Sequence, residues 1–462
     1  MAEGVLAEIA DSKRSELAGR LAGIALDALR ARALPTGRSL ADVLAQRGSR
    51  FILEIKKASP SAGSIRPTAD VSELTRGYSG VADALSVLTE ERHFRGSLDD
   101  LALARRAFDG PILAKDFFLD PRQVVEARIA GADAVLVMLS LVDDALAAEL
   151  IVEARRFGMD ALVEVHDEAE MHRANALGAS IIGINNRDLR DLSIDLRTTE
   201  RLAQLARGRV VIAESGIRSS EDVERLSRHV DAFLVGSSLM ASDSPAEAAR
   251  KLVFGRVKMC GLRQPEDVLA AAPATFAGFV FVPGSPRHLT AEAAAPLAGE
   301  ARKRGMLPVG IFKNAPSGIV TDIATLLNLH AIQLHGIEDE TYVRRVRRSL
   351  ADQCEVWTAV PVGTSSAIGF RGGDRTLFDS GPGGTGRSFD WRLLGGSARL
   401  PRALLAGGIG AANARAAAAV GAYAIDVGSS TDALPGVKSE RKIRALFEAL
   451  RPDSRQEQRL CA

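Results

Sequence analysis

Two tandem (β/α)8 TIM barrels, an α/β architecture with a helical extension ahead of the first, are what this sequence predicts. Short apolar runs of strand length recur, about eight in each half, with helix-length segments between them, which is the alternation of such a barrel. Ionisable residues gather where these runs end, and barrels build their active sites at that end of the strands. The chain has 462 residues, against roughly 250 for one barrel, so two domains fit its length.

Residues 9–29 carry apolar side chains at three- and four-residue steps and are expected to form a helix before the first strand. That strand is expected over 51–57. Side chains alternate along it, so Glu54 and Lys56 share a face and Ile55 points the other way. Apolar runs at 84–89, 112–116, 134–139, 161–165, 181–186, 210–216 and 233–237 complete the first set. Its last helix is expected near 244–254. The second set starts at once, with runs at 256–261, 276–282, 308–313, 331–335, 355–360, 376–379, 403–408 and 424–428. Glycine- and serine-rich pieces at 363–366 and 381–388 read as loops, and the polar residues 453–462 as a fraying, flexible tail. The expected domains are 1–255 and 256–452, followed by that tail.

Lys plus Arg (59) nearly balance Asp plus Glu (58), so net charge points neither to nucleic acid nor to a membrane surface as a partner. Cys260, Cys354 and Cys461 make an odd count in a long chain, which suits free thiols in a reducing compartment. Glu3, Glu8, Asp11, Lys13, Arg14 and Glu16 interrupt any apolar signal-peptide core, and no apolar stretch approaches membrane-spanning length. A soluble, cytoplasmic protein follows from these features, and a monomer is the working expectation beside them.

Barrels often bind phosphate in the loops after strands seven and eight, through backbone N–H groups and a helix N-terminus. Ser215-Gly216 follows the seventh run and Gly236-Ser237-Ser238 the eighth. Each is more often only a turn, but together they stand at the two expected loops. Glu54, Lys56, Lys115, Glu164, Asn185, Arg187 and Glu214 converge on the same mouth. Any one alone is more often a satisfied ion pair than a catalyst, and their convergence reverses those odds. Two lysines and three carboxylates suit general acid–base work on an anionic substrate. His166 is expected in a surface or hydrogen-bonding role. With no Walker-type loop, strand-linked GxGxxG or metal-spaced His/Cys/carboxylate cluster, neither cofactor nor metal is expected.

The pieces Glu54-Ile55-Lys56-Lys57-Ala58-Ser59-Pro60-Ser61, Leu88-Thr89-Glu90, Phe94-Arg95-Gly96 and Leu113-Ala114-Lys115-Asp116-Phe117 resemble indole-3-glycerol phosphate synthase. So do Leu162-Val163-Glu164-Val165, Gly183-Ile184-Asn185-Asn186-Arg187-Asp188-Leu189 and Glu214-Ser215-Gly216-Ile217, in the same order, across essentially all of residues 1–255. The resemblance implies decarboxylating ring closure of a phosphorylated aminoketose. It implies Lys115 as the acid, Glu164 as proton shuttle, and Glu54 and Asn185 as stabilisers of an iminium-like charge. Lys56 would bind the anionic substrate, Arg187 the anthranilate carboxylate in bidentate fashion, and Glu214 is carried over by motif. Phe94, Phe117 and Leu189 would line the aromatic ring's pocket. Ser59, Ser215, Gly216, Gly236 and Ser237 complete the substrate-binding set.

In the second half Cys260 ends the first run and Asp379 the sixth. A lone Cys on an apolar strand is usually packing, and an acid before a glycine loop is ambiguous. A thiol and a carboxylic acid facing one mouth, however, can move a proton along a sugar chain. Gly407-Gly408-Ile409-Gly410 and Gly428-Ser429-Ser430 repeat the phosphate-loop positions. Val257-Lys258-Met259-Cys260-Gly261, Ser285-Pro286-Arg287, Gln333-Leu334-His335-Gly336, Phe378-Asp379-Ser380, Leu405-Ala406-Gly407-Gly408-Ile409 and Pro435-Gly436-Val437-Lys438 resemble phosphoribosylanthranilate isomerase, over roughly residues 256–450. That implies an Amadori rearrangement, with Asp379 as acid, Cys260 as base, and Arg287, His335, Gly408, Gly428 and Ser429 binding substrate. Where the family reads Asp-Val-Ser-Ser-Gly-Val-Glu, this chain has Asp426-Val427-Gly428-Ser429-Ser430-Thr431-Asp432, which leaves open the exact phosphate donors at Ser429 and Ser430. The related histidine-pathway isomerase would pair two aspartates, an epimerase lacks the thiol–carboxylate pair, and an inactive second barrel would have lost its ionisable residues. Phosphorylated small molecules are the expected partners.

Overall fold

The computed structural model describes residues 5–60, 63–206, 208–362, 371–381 and 388–455. The expected loop at 363–366 lies outside the described residues, as does all but the two ends of that at 381–388. The first barrel is a closed ring of parallel strands: β1 (Arg50–Ile55), β2 (Ala84–Leu88), β3 (Ile112–Lys115), β4 (Ala134–Met138), β5 (Asp160–Val165), β6 (Ile181–Asn185), β7 (Val210–Glu214) and β8 (Ala232–Val235). β1 pairs with both β2 and β8, which closes the ring. The second has the same order: β9 (Val257–Cys260), β10 (Phe276–Val280), β11 (Leu307–Phe312), β12 (Ala331–Leu334), β13 (Glu355–Pro361), β14 (Arg375–Asp379), β15 (Leu404–Leu405) and β16 (Ala424–Val427).

Strands covered outside by helices and inside by packed side chains must be apolar on both faces, and this is why they read as continuous runs rather than alternating ones. β1 and β2 are buried at every position. In the second barrel Phe276, Val309, Ala331, Trp357, Leu377, Leu404 and Ala424 come from seven different strands, near their starts, and pack into one apolar cluster. The expected strands overran at their C-terminal ends. Asp116, Gly216 and Ser237 lie beyond the last paired residue, because there the backbone leaves the ladder to form the mouth.

Two expectations need correction. The helix expected over 9–29 is instead α1 (Val5–Arg20), which ends before Gly23 at φ 72°, and a short helix (Leu26–Arg30) follows. A left-handed residue cannot continue a right-handed helix. Ile9, Lys13, Leu17 and Leu21 are buried at four-residue steps, so α1 presents one stripe to the first barrel. The tail does not fray at its start. Ser49 N–H donates to the Pro452 carbonyl at 2.9 Å, and Arg455 N–H to the Val230 carbonyl at 3.1 Å. The buried Arg455 guanidinium donates to the carbonyls of Ala203 (3.1 Å) and Ala206 (2.6 Å). The compact unit of the first barrel thus runs to Leu252 and resumes at Pro452, while Val253–Arg451 forms the second. The tail beyond Arg455 lies outside the described residues.

Candidate active sites

In the first barrel the C-terminal strand ends and the loops beyond them enclose a cavity of about 460 Å³, a usual size for a small-molecule site. Glu54 is the penultimate residue of β1, Lys115 the last of β3, Glu164 the penultimate of β5, Asn185 the last of β6 and Glu214 the last of β7. Parallel pairing brings these ends to one level. Lys115 Nζ stands 2.6 Å from Glu214 Oε2, 3.7 Å from Glu54 Oε2 and 3.9 Å from Glu164 Oε2. Lys56 Nζ reaches Glu54 Oε1 at 2.6 Å, and Asn185 Nδ2 donates to Glu164 Oε1 at 3.0 Å.

Burial works against the Lys115 ammonium, but Glu214, Glu54 and Glu164 outweigh it and hold its pKa above the ordinary lysine value. Burial likewise pushes Glu164 up, and His166, Lys115 and Asn185 overturn that, leaving it well below the usual carboxylate range. Glu54 is lowered in the same way, against its burial, by Lys56 and Lys115. Glu214 goes the other way: burial and its neighbours Glu164 and Glu54 raise it despite Lys115. Carboxylates pushed apart in proton affinity around one ammonium are equipped to donate and accept protons in a single site.

Two glycines make room for this cluster. A Cβ at Gly183 would lie 2.0 Å from Glu214 Oε1, and one at Gly236 would lie 2.4 Å from Glu54 Oε1. All the residues expected at this mouth line the cavity except Glu214, which sits 1 % exposed beneath Lys115. The apolar wall holds Phe94 and Phe117, ring centroids 6.1 Å apart, with Leu189 and Met138 beside them. The sequence reading missed Ile9 of α1, which packs on that wall and lines the cavity. α1 is fastened there by Lys13 Nζ, 2.8 Å from Asp116 Oδ1. Arg187 lines the cavity, donating to the Leu192 carbonyl at 3.1 Å. Burial and the neighbouring Arg218, another lining residue that was missed, lower its pKa. His166 is not at the surface; it is largely buried and hydrogen-bonded.

The second mouth encloses about 570 Å³. Cys260, Arg287, His335, Asp379, Gly408, Gly428 and Ser429 all line it, together with Asp426. Asp379, 7 % exposed, accepts from Ser380 N–H at 2.7 Å; burial and the Asp426 charge raise its pKa, which favours the protonated form an acid needs. Burial raises the Cys260 thiol, with Lys258 and Lys438 opposing. Lys258, missed from the sequence although alternation puts it on the Cys260 face, is fully buried and grips Asp426 at 2.9 and 3.0 Å. Burial takes His335 down to about 4, so it is a neutral imidazole. Arg287 is held by Asp432, through Nη2 at 2.6 Å and Nε at 3.1 Å.

The loops after the seventh strands match between barrels. Ser215 and Gly216 have φ 62° and 85°, and Gly407 and Gly408 have φ 92° and 62°, so each loop opens with two consecutive left-handed residues. Ser238 Oγ donates to the Ile217 carbonyl at 2.9 Å, and Ser430 Oγ to the Ile409 carbonyl. Ser429 and Ser430 both line the second cavity. Among the described residues no group of three His, Cys, Asp or Glu is placed to hold a metal ion. Among them, too, no helix is long and apolar enough to cross a membrane.

Comparison with known proteins follows the same division. The family profile described as Indole-3-glycerol phosphate synthase matches residues 6–252, and that described as N-(5'phosphoribosyl)anthranilate (PRA) isomerase matches residues 257–449. The chain is 43% identical over 421 residues to the tryptophan biosynthesis protein TrpCF of Salmonella typhi, covering 90% of this chain and 92% of that protein. To the TrpCF of Vibrio parahaemolyticus it is 42% identical over 462 residues, covering 98% of this chain and 95% of that one.

Proposed function

The chain belongs to the family of bifunctional tryptophan-biosynthesis proteins that join an indole-3-glycerol phosphate synthase to a phosphoribosylanthranilate isomerase, and from that premise we propose how its residues divide the work. The second barrel isomerises N-(5-phosphoribosyl)anthranilate to 1-(2-carboxyphenylamino)-1-deoxyribulose 5-phosphate. The first converts that product to indole-3-glycerol phosphate with loss of CO2 and water.

In the isomerase, Asp379 protonates the ribose ring oxygen so that the ring opens to an iminium. Cys260 then removes the C2 proton, and the enolamine collapses to the aminoketose. In the synthase, Lys115 protonates the ketone oxygen as the aromatic carbon attacks. CO2 leaves, Glu164 takes up a proton during dehydration, and Glu54 and Asn185 stabilise the iminium-like charge between. Lys56 and Arg187 meet the substrate's anionic groups, Phe94, Phe117 and Leu189 its ring, and the paired left-handed loops its phosphate. Met1–Leu252, with the segment that resumes at Pro452, carry the synthase, and Val253–Arg451 the isomerase. Each mouth is built within its own barrel, which supports a chain active as a monomer, and free thiols support a cytoplasmic location.

The observation that carries this reading is the Lys115 ammonium set among Glu214, Glu54 and Glu164 at the base of an apolar-walled cavity. Given phosphoribosylanthranilate, the purified chain is expected to form indole-3-glycerol phosphate; given the aminoketose, it should carry out ring closure alone. A folded chain that fails either conversion sinks the corresponding half. Gly183→Ala is a finer test. The added methyl must push Glu214 from Lys115, and a misplacement of about 1 Å can cost roughly 10²-fold. Synthase turnover is expected to fall by about that factor with isomerase turnover unchanged. Equal synthase rates in the two proteins would show that Glu214 placement is immaterial.

A further inference from the structure

Among the buried ionisable groups that the chemistry above leaves unused, His166 is the one the geometry ties to the reacting residues. It directly follows β5, one residue beyond Val165 and two beyond Glu164, on the same face of the chain. Its Nε2 lies 3.3 Å from Glu164 Oε1, within ion-pair range though off the hydrogen-bond line, and its Nδ1 lies 3.1 Å from Glu170 Oε2. Glu170 stands in the first turn of α2 (Glu168–Ala176) and also accepts the His166 backbone N–H at 2.8 Å. The ring therefore has a carboxylate within ion-pair range of each nitrogen, an arrangement that favours the imidazolium.

The two oxygens of Glu164 are treated differently. Oε1 takes Asn185 Nδ2 at 3.0 Å and faces His166. Oε2 is buried without a hydrogen-bond partner among the described residues, 3.9 Å from Lys115 Nζ, and Glu164 lines the cavity. We propose that His166 is a positioning residue of the synthase, an imidazolium that clamps Oε1 of Glu164 so that Oε2 alone transfers protons and stays ionised until it does so. The proposal rests on the reading of Glu164 as the proton-transferring carboxylate.

The charges around the ring favour the cation. Glu164 comes from its own strand and Glu170 from α2, while Asp188, in the segment after β6, also feels its charge. Lys115 faces Oε2 of Glu164, and Asn185 shares Oε1 with His166. Burial opposes protonation of His166, but the two glutamates outweigh it and raise the pKa to about 10. Removing the cation must raise the proton affinity of Glu164, and each pH unit of that shift is tenfold.

The test uses the full chain with 15N-labelled histidine, the His166 signal being assigned by its loss in His166→Gln. In the unsubstituted protein the His166 ring is expected to keep both protons past pH 8, and Glu170→Gln should bring its titration down. The acid limb of synthase kcat should move up by about one pH unit or more in His166→Gln, and by less in Glu170→Gln, while isomerase rates stay fixed. A His166 ring titrating near 6.5 in the unsubstituted chain would overturn the proposal. So would a His166→Gln enzyme whose rate falls uniformly with the acid limb unmoved, the mark of a merely structural residue. The ring titration needs no variant beyond its assignment, so misfolding of Glu170→Gln leaves the decision intact. Full synthase activity in Glu164→Gln would instead sink the reading of Glu164 along with this proposal. An inactive Glu164→Gln beside an unshifted His166→Gln profile would sink this proposal alone.

Discussion

Lys115→Ala is expected to lower synthase turnover by about 10²–10⁴-fold, the usual contribution of a general acid, and to leave isomerase turnover unchanged. The size of the effect follows from where the ammonium sits. It is the counter-charge to Glu214 at 2.6 Å and lies within 4 Å of Glu54 and Glu164, so the substitution removes a proton donor and unbalances three buried carboxylates together. At least one of them would then take up a proton to avoid an uncompensated buried charge. Lys115→Arg should not rescue, because a planar guanidinium cannot occupy the place of a compact ammonium between three carboxylates. Steady-state rates of both half-reactions, with circular dichroism to confirm folding, check this. Near-normal ring closure in Lys115→Ala would remove Lys115 from the mechanism.

Cys260→Ala and Asp379→Asn are expected to produce the mirror image, with isomerisation down by about 10²–10⁴-fold and ring closure intact. Asp379→Asn keeps the shape and the backbone contact from Ser380 but cannot give up a proton. Cys260→Ser should also be poor, since a hydroxyl releases its proton far less readily than a thiol, whose reference pKa is about 8.5. Wild-type isomerisation by Cys260→Ala would reduce Cys260 to a packing residue. A loss of both activities in any of these variants would mean that the substitution unfolds more than its own barrel.

The barrels were legible because a strand packed on both faces leaves a continuous apolar run, whatever follows it. The ionisable residues at the mouths were legible for a related reason: Lys115 and Glu214 end such runs, where nothing about packing asks for a charge. What escaped reading depends on contacts between distant segments. Ile9 looks like any apolar residue of an amphipathic helix, and no local pattern tells which mouth that helix overhangs. The fastening of Lys13 to Asp116 is equally invisible before folding. His166 and Glu170 did carry a signal, four residues apart across a strand-to-helix turn, but the turn geometry was needed to see one glutamate on each ring nitrogen. Arg455 was read as tail because its partners are main-chain carbonyls, which leave no mark in a sequence.

The Arg455 contact also bears on how the protein is made and broken genetically. Strands β1 to β8 leave the ribosome long before the guanidinium that caps the carbonyls of Ala203 and Ala206, with the whole isomerase translated in between. Domains fold largely in the order of their synthesis, so the nascent synthase must wait without that guanidinium, and its last native contacts close only after release of the second barrel's sequence. A premature stop codon anywhere in the isomerase half therefore removes a piece of the synthase as well. Nonsense alleles mapped to the downstream barrel would weaken the upstream one, while missense alleles such as those at Cys260 would not.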